Sequence, residues 1–120
     1  MTAGKPPGLT THVLDLARGR PGAGMAYRLY RIDGERRALL VEGRTNADGR
    51  TDAPLLAGDA LRAGLYELEF DAAAYLRDAG DTTQSLWSSI PIRFQIGDPA
   101  AHYHVPLLLA PGGYSTYRGS

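Results

Sequence analysis

The chain has 120 residues, the length of one ordinary domain, and is long enough to bury a hydrophobic core without metals or disulfides. Its 13 lysines and arginines balance 13 aspartates and glutamates, so no net field draws it to nucleic acid or anionic lipid. There is no cysteine, which excludes disulfides, thiolate nucleophiles and cysteine-ligated metals.

The N-terminal stretch MTAGKPPG has no apolar run of the kind found in export signals. No later stretch approaches the roughly 18 to 20 apolar residues of a membrane-spanning helix. We therefore predict a flexible N-terminal arm over residues 1–8, a single domain over residues 9–120, and a cytoplasmic protein that contacts neither membranes nor nucleic acid.

Short apolar runs, punctuated by 15 glycines and 8 prolines, are typical of an all-β sandwich or barrel. The less regular of these runs predict strands at residues 9–16, 25–33 and 38–45. Each of them ends at glycine, proline or aspartate, which favour turns. The chain is therefore expected to fold as an all-β domain of short strands, either a sandwich or a barrel.

Apolar and polar residues alternate in LYELEF (65–70) and in IPIRFQIGD (90–98), which predicts two strands with one buried face each. The residues predicted to share the buried faces are Tyr66, Leu68, Phe70, Ile90, Ile92, Phe94 and Ile96. Pro91 cannot donate a ladder hydrogen bond, so the second strand is expected to start there or to lie at a sheet edge.

The stretch DAAAYLRDAG departs from the strand pattern and predicts one short helix over residues 72–79. Asp71 is a suitable N-cap, because its carboxylate can accept from a backbone N–H of the first turn. Three alanines favour the helix, and Gly80 is a suitable stop after its C-terminus.

The last third of the chain predicts a β-hairpin. AHYHVPLLLA and YSTYRG contain strand-like runs, at residues 102–110 and 114–119, and PGG between them indicates a turn near Pro111 and Gly112. A turn centred there pairs residues whose numbers sum to 223.

In this register His104 lies opposite Gly119, and the Tyr117 side chain is a neighbour of His104 because cross-strand neighbours share a face. Arg118 and Ser120 are expected on the other face, unless the chain bends at Gly119, where the missing Cβ makes a bend easy. A slip of one residue would exchange the two faces.

Three histidines are candidates for chemistry. His102 and His104 form HYH, and residues two apart on a strand point the same way, so with His12 they could bind zinc. The alternative is that they are ordinary polar residues of a half-exposed strand. His12 is either a structural histidine or a general base. Nothing in the neighbouring residues decides between these interpretations.

Arg50 follows the turn-like stretch TNADG. Taken alone, it is a solvated loop arginine, and the local sequence favours that interpretation. A planar guanidinium also suits a carbonyl oxygen or a developing oxyanion. The sequence contains no G-x-S-x-G elbow, P-loop or dinucleotide fingerprint.

Four stretches together resemble the 5-hydroxyisourate hydrolases, the transthyretin-related enzymes of urate breakdown. They are LTTHVLD, TNADGR, IPIRFQIGDPAAHYHVPLLLAPGG and the closing YRGS, and the resemblance covers residues 9 to 120. Transthyretin itself carries lysine in place of His12, threonine in place of His104, and a longer tail. This resemblance therefore favours the hydrolases over the hormone carrier.

The resemblance implies a transthyretin-like two-sheet β-sandwich of about eight strands with one short helix. It implies a homotetramer, built as a dimer of dimers, with active sites in the channel between dimers and with neither metal nor cofactor. The catalytic residues that it implies are His12, Arg50, His104 and Ser120. The substrate-binding residues that it implies are Tyr117, Arg118 and Gly119.

The implied reaction is hydrolysis of 5-hydroxyisourate at its N1–C6 amide, which gives 2-oxo-4-hydroxy-4-carboxy-5-ureidoimidazoline. A histidine pair would activate water and transfer its proton, and Arg50 would polarise the substrate carbonyl. The alternative function is a transthyretin-like carrier of a small ligand without catalysis. A third hypothesis, an adhesion-type sandwich without a pocket, predicts a monomer.

Overall fold

A computed structural model of the protein describes residues 5–80 and 86–119. Within these ranges the chain forms eleven strands, one α-helix, α1, and a short 3-10 turn, Gly58–Ala60. The helix covers Ala72–Asp78, and none of the described helices is long and apolar enough to cross a membrane. The strands are β1 Gly8–Thr10, β2 Val13–Asp15, β3 Arg20–Pro21, β4 Ala26–Asp33, β5 Arg36–Arg44, β6 Leu56–Ala57, β7 Gly64–Asp71, β8 Ser89–Ile96, β9 His102–His104, β10 Leu107–Ala110 and β11 Gly113–Thr116.

The strands form two layers, which confirms the all-β sandwich. One layer is an antiparallel sheet with the order β5-β4-β7-β8. The other consists of β6-β1-β9 and β11-β10-β2-β3, which continue into each other because β1 leads into β2 and β9 leads into β10. In this second layer β1 runs parallel to β9, and β2 runs parallel to β10.

Two predicted strands are interrupted in the structure. The predicted strand 9–16 breaks between Thr10 and Val13, and the predicted strand 102–110 breaks between His104 and Leu107. The second break contains Pro106, which has no N–H to donate. Counting each interrupted pair as one strand gives nine strands, close to the predicted number of about eight.

The alternating faces of β7 and β8 are confirmed. Their apolar side chains join those of the other layer in one buried cluster, and Pro91 lies on the edge strand β8. On the polar face of β7, Glu67 is only 6% exposed. Its carboxylate accepts hydrogen bonds from Arg37 at 2.9 Å and from Arg93 at 3.1 Å. The apolar–polar alternation of β7 predicts that the Glu67 carboxylate faces solvent. In the structure the two guanidinium groups cover it.

The predicted helix is confirmed and ends one residue earlier than expected. The Asp71 carboxylate accepts from the Ala74 N–H at 3.1 Å, and Gly80 has a φ of 89°, the left-handed conformation that suits glycine after a helix. Tyr75 attaches the helix to β2, because its hydroxyl donates to the buried carboxylate of Asp15 at 2.7 Å. Burial, together with this hydrogen bond, raises the pKa of Tyr75 to about 12.

The hairpin register is also confirmed. Leu107 pairs with Thr116 and Ala110 with Gly113, and an isolated bridge joins His104 to Gly119. At the other end of the chain, β1 begins at Gly8, inside the predicted arm. The flexible arm over residues 1–8 stays a prediction, since residues 1–4 lie outside the described part of the chain.

Candidate active site

A polar cavity of about 400 Å³ opens beside the paired strands β1 and β9, under the loop that follows β5. Among the side chains that line it are Lys5, Thr10, Arg50, Asp52, His102 and His104. Two other cavities formed by the described residues measure about 550 Å³ each, but no histidine lines either of them. The smaller cavity is therefore the candidate active site, because it holds both Arg50 and His104.

His104 is held in this cavity by its neighbours on both sides. The β1–β9 register places Thr10 directly opposite it, with the Thr10 oxygen Oγ1 2.8 Å from Nδ1 of the imidazole. On the other side the Gly119 N–H donates to the His104 carbonyl at 2.7 Å. The half-buried ring is thus fixed between a strand neighbour and the end of the chain.

The surroundings of His104 favour its neutral form. Burial is the largest cause that lowers its pKa below the usual value of 6.5, because a charged imidazolium loses hydration there. The positive charges of Arg50, His12, Lys5 and His102 lower the pKa further. Near neutral pH the imidazole therefore has a lone pair that can accept a proton.

His12 lies beside the cavity rather than in its wall. Its backbone pairs with Arg50 in an isolated antiparallel bridge, and its Nε2 is 2.9 Å from the Asp48 carbonyl oxygen. A carbonyl oxygen only accepts, so Nε2 of His12 donates and a neutral His12 carries its lone pair on Nδ1. His12 is close enough for its charge to lower the pKa of His104.

The turn before Arg50 determines where this residue lies. The Asn46 side-chain oxygen accepts from the Asp48 N–H at 2.9 Å and from the Arg50 N–H at 3.1 Å. Gly49 has a φ of 74°, and a Cβ there would lie 2.4 Å from the Val13 carbonyl oxygen. The turn therefore packs tightly on β2, while the Arg50 side chain is exposed and its guanidinium has no hydrogen-bond partner among the described residues.

The C-terminal residues differ in where their side chains lie. Tyr117 is 55% exposed. The Arg118 guanidinium lies 4.4 Å from the centre of the Tyr103 ring and donates to the His102 carbonyl at 3.2 Å. Tyr103 alternates with the two histidines along β9, so Arg118 lies on the face opposite to them, as the register predicted. Ser120 lies outside the described residues.

Sequence reasoning did not assign Thr10, His102 and Lys5 to the site, although all three line the cavity. The HYH pattern did predict that His102 and His104 share a face, and both imidazoles contact the Thr10 hydroxyl. Thr10 precedes His12 by two residues and was considered only as part of a strand. Within residues 5–80 and 86–119, no three side chains of the metal-binding types are grouped as ligands.

Comparison with known proteins gives consistent matches. The profile of the HIUase/Transthyretin family matches residues 9–119. A 5-hydroxyisourate hydrolase of Mesorhizobium japonicum is 57% identical over 114 residues, covering 93% of this chain and 91% of the relative.

Two solved structures are also similar. The 5-hydroxyisourate hydrolase of Klebsiella pneumoniae superposes with a TM-score of 0.78 and is 42% identical, covering 93% of this chain and 97% of the hydrolase. An (S)-allantoin synthase gives a TM-score of 0.89 at 41% identity; the match covers 100% of this chain but only 46% of the synthase.

Proposed function

The chain belongs to the HIUase/Transthyretin family, and from this premise we propose that it hydrolyses 5-hydroxyisourate to 2-oxo-4-hydroxy-4-carboxy-5-ureidoimidazoline. The observation that carries the proposal is the 57% identity to a hydrolase named for that substrate. The cavity shared by Arg50 and His104 supports it, since amide hydrolysis is accelerated by a base that activates water and by a hydrogen-bond donor that stabilises the oxyanion.

In the proposed reaction water attacks the C6 carbonyl of the substrate. One neutral histidine accepts a proton from the water as the new O–C6 bond forms, and Arg50 donates hydrogen bonds to the carbonyl oxygen as it becomes an oxyanion. The C6–N1 bond then breaks, and a proton held by the histidine pair passes to N1. A positioned base typically contributes about 10² to 10⁴ in rate.

The remaining site residues are proposed to hold the substrate. The exposed ring of Tyr117 is available to stack on the flat heterocycle. Gly119 has no Cβ, so the end of the chain can pack against the His104 imidazole and border the substrate there. Ser120 is proposed to hydrogen-bond the substrate or orient the water. Arg118 is proposed to support the site from the opposite face of β9, since its guanidinium donates a hydrogen bond to the His102 carbonyl.

A continuous assay tests the activity. Urate oxidase generates 5-hydroxyisourate in the cuvette, and its ultraviolet absorbance decays spontaneously. We expect the purified protein to accelerate this decay strongly and His104→Gln to lose most of the acceleration. If the wild-type protein leaves the spontaneous rate unchanged, the hydrolase proposal is wrong. Binding of a purine analogue without turnover would then favour the carrier alternative.

We also propose that the protein is a homotetramer. The transthyretin family fold supports this proposal, as do the edge strands β8 and β11, which have no outer partner among the described residues. Sedimentation equilibrium should give about four times the chain mass of 12.9 kDa. A monomer would contradict the proposed tetramer.

We also propose a cytoplasmic location, which follows from the sequence-based expectation, and fractionation of native cells tests it.

A further inference from the structure

The hydroxyl of Thr10 lies between two imidazoles and belongs to a continuous chain of polar groups. Its oxygen is 2.8 Å from Nδ1 of His104 and 3.5 Å, the limit for a hydrogen bond, from Nε2 of His102. The other nitrogen of His102, Nδ1, is 3.2 Å from the carbonyl oxygen of Pro6. This series of hydrogen-bonding groups therefore runs from the Pro6 carbonyl, through His102 and Thr10, to His104.

The chemistry of these groups determines which of them donates and which accepts each hydrogen bond. The Pro6 carbonyl can only accept, so Nδ1 of His102 carries a hydrogen, and in a neutral His102 Nε2 is an acceptor. The Thr10 hydroxyl has a single hydrogen. When that hydrogen goes to His102, the Thr10 oxygen accepts from Nδ1–H of His104. A neutral His104 with its hydrogen on Nδ1 carries its lone pair on Nε2.

We propose that Thr10, oriented by His102, is a positioning residue that holds His104 in the Nδ1–H tautomer and so presents Nε2 as the general base. This inference rests on the proposed hydrolysis and deepens it. It assigns the base of the histidine pair to His104, whose Nε2 takes a proton from water as the O–C6 bond forms and returns that proton to N1 as the C6–N1 bond breaks. Nε2 of His104 is available for this role, because it has no hydrogen-bond partner in the described part of the chain.

The role of Thr10 is separate from the effects that determine the charge of His104. Among the described residues, the groups whose charges lower the pKa of this imidazole are Arg50 from the loop after β5, His12 after β1, Lys5 before β1, and His102 on the same strand. Asp52 lines the same cavity. The first four groups oppose protonation when they are charged. Burial and these groups keep the ring neutral, and the Thr10 oxygen determines which nitrogen of the neutral ring carries the hydrogen.

Substitution of Thr10 separates the tautomer from the fold. Thr10→Val keeps the shape of the side chain but removes the hydroxyl, whereas Thr10→Ser keeps the hydroxyl. The matched control is Thr116→Val, because the Thr116 hydroxyl donates to the Pro106 carbonyl at 2.8 Å and does not contact an imidazole. Long-range ¹H–¹⁵N NMR of the imidazoles reports the tautomer directly, and the 5-hydroxyisourate assay gives kcat and KM.

We expect wild-type His104 to be protonated on Nδ1 and Thr10→Val to shift it towards the Nε2–H form. We expect kcat of Thr10→Val to fall by about 10- to 100-fold, part of the contribution of a positioned base, with KM changed little. Thr10→Ser and Thr116→Val should retain the wild-type tautomer and most of kcat. His102→Leu should shift the tautomer in the same direction as Thr10→Val, because the Thr10 hydrogen is then free to turn to His104.

A wild-type His104 in the Nε2–H form would overturn the inference. An unchanged tautomer and kcat in a folded Thr10→Val would also overturn it, and if that variant does not fold, an unchanged tautomer in His102→Leu would do so. By contrast, a wild-type protein that does not accelerate 5-hydroxyisourate decay would contradict the proposed function. The NMR result would then still describe the tautomer of His104, so the two failures are distinguishable.

Discussion

Gly119 packs its backbone against the imidazole of His104. Its N–H donates to the His104 carbonyl at 2.7 Å, and a Cβ built on Gly119 would lie 2.6 Å from Cδ2 of the ring. Such a separation is too short for two carbon atoms, so any side chain at position 119 requires the imidazole to move. The end of the chain therefore helps to fix the orientation of the proposed base.

Gly119→Ala is expected to reduce kcat by about 10- to 100-fold, because small displacements of a catalytic group have effects of this size. The hydrolase assay measures the loss. Gly112→Ala is the control, since a Cβ at Gly112 meets no heavy atom within 4 Å. Equal rates for Gly119→Ala and the wild type would show that the position of His104 does not depend on Gly119.

The lowered pKa of His104 predicts how the protein responds to pH. The imidazole should be half-protonated at a pH below 6.5, so the neutral base persists to lower pH than in a free histidine, and kcat/KM should reach half its maximal value below pH 6.5. Arg50→Gln removes one positive charge and should raise the pKa of His104. An NMR titration of the His104 ring measures both values.

Arg44→Gln is the control for this titration, since Arg44 is an exposed arginine that is not among the charges acting on His104. It should leave the titration of His104 unchanged. A wild-type pKa of 6.5 or above would contradict the prediction, as would a pKa that falls in Arg50→Gln.

Replacement of Arg50 by lysine tests the proposed oxyanion contact. Lysine keeps the positive charge but loses the planar fork of donors. We expect kcat to fall by about 10² to 10³, the usual cost of removing an oxyanion donor. Stability should change little, since the Arg50 side chain is exposed. Arg44→Lys should retain full activity, and an Arg50→Lys enzyme with normal turnover would remove Arg50 from the catalytic set.

Local patterns predicted the helix and the strand faces because their causes are local. Asp71 and Gly80 bound the helix through a cap and a left-handed residue, and the short PGG turn determines the pairing of β10 with β11. The same register correctly placed Gly119 opposite His104. The predicted strand 102–110 was continuous, whereas the structure breaks it between His104 and Leu107. The sequence already contained the reason, because Pro106 has no N–H to donate.

The contact of Thr10 with His104 was not predictable in this way. It depends on the parallel pairing of β1 with β9, which joins residues 94 positions apart without a connecting turn. The same pairing brings Lys5 to the cavity, although composition favoured a flexible arm there. The burial of Glu67 likewise depends on two arginines from other strands. Sequence patterns describe single strands well but do not specify which distant side chains meet.

The hydrogen bond between Tyr75 and Asp15 predicts a measurable contribution to stability. The Asp15 carboxylate is 1% exposed and accepts from the Tyr75 hydroxyl at 2.7 Å and from the Arg18 N–H at 3.1 Å. Tyr75→Phe removes one donor from this buried charge. We expect the free energy of unfolding to fall by about 1.5 to 3 kcal/mol, measured by urea denaturation. Tyr114→Phe, at an exposed tyrosine, should have little effect.

The raised pKa of Tyr75 adds a pH dependence whose sign can be derived. The hydroxyl ionises at about 12 in the folded protein and near 10 in the unfolded chain, so the unfolded state loses its proton first as the pH rises. The stabilisation by neutral Tyr75 is therefore complete below pH 10 and is lost as the pH rises through about 12. The stability difference between wild type and Tyr75→Phe should shrink over this window. A difference that stays constant to pH 12 would show that ionisation of Tyr75 is not linked to folding.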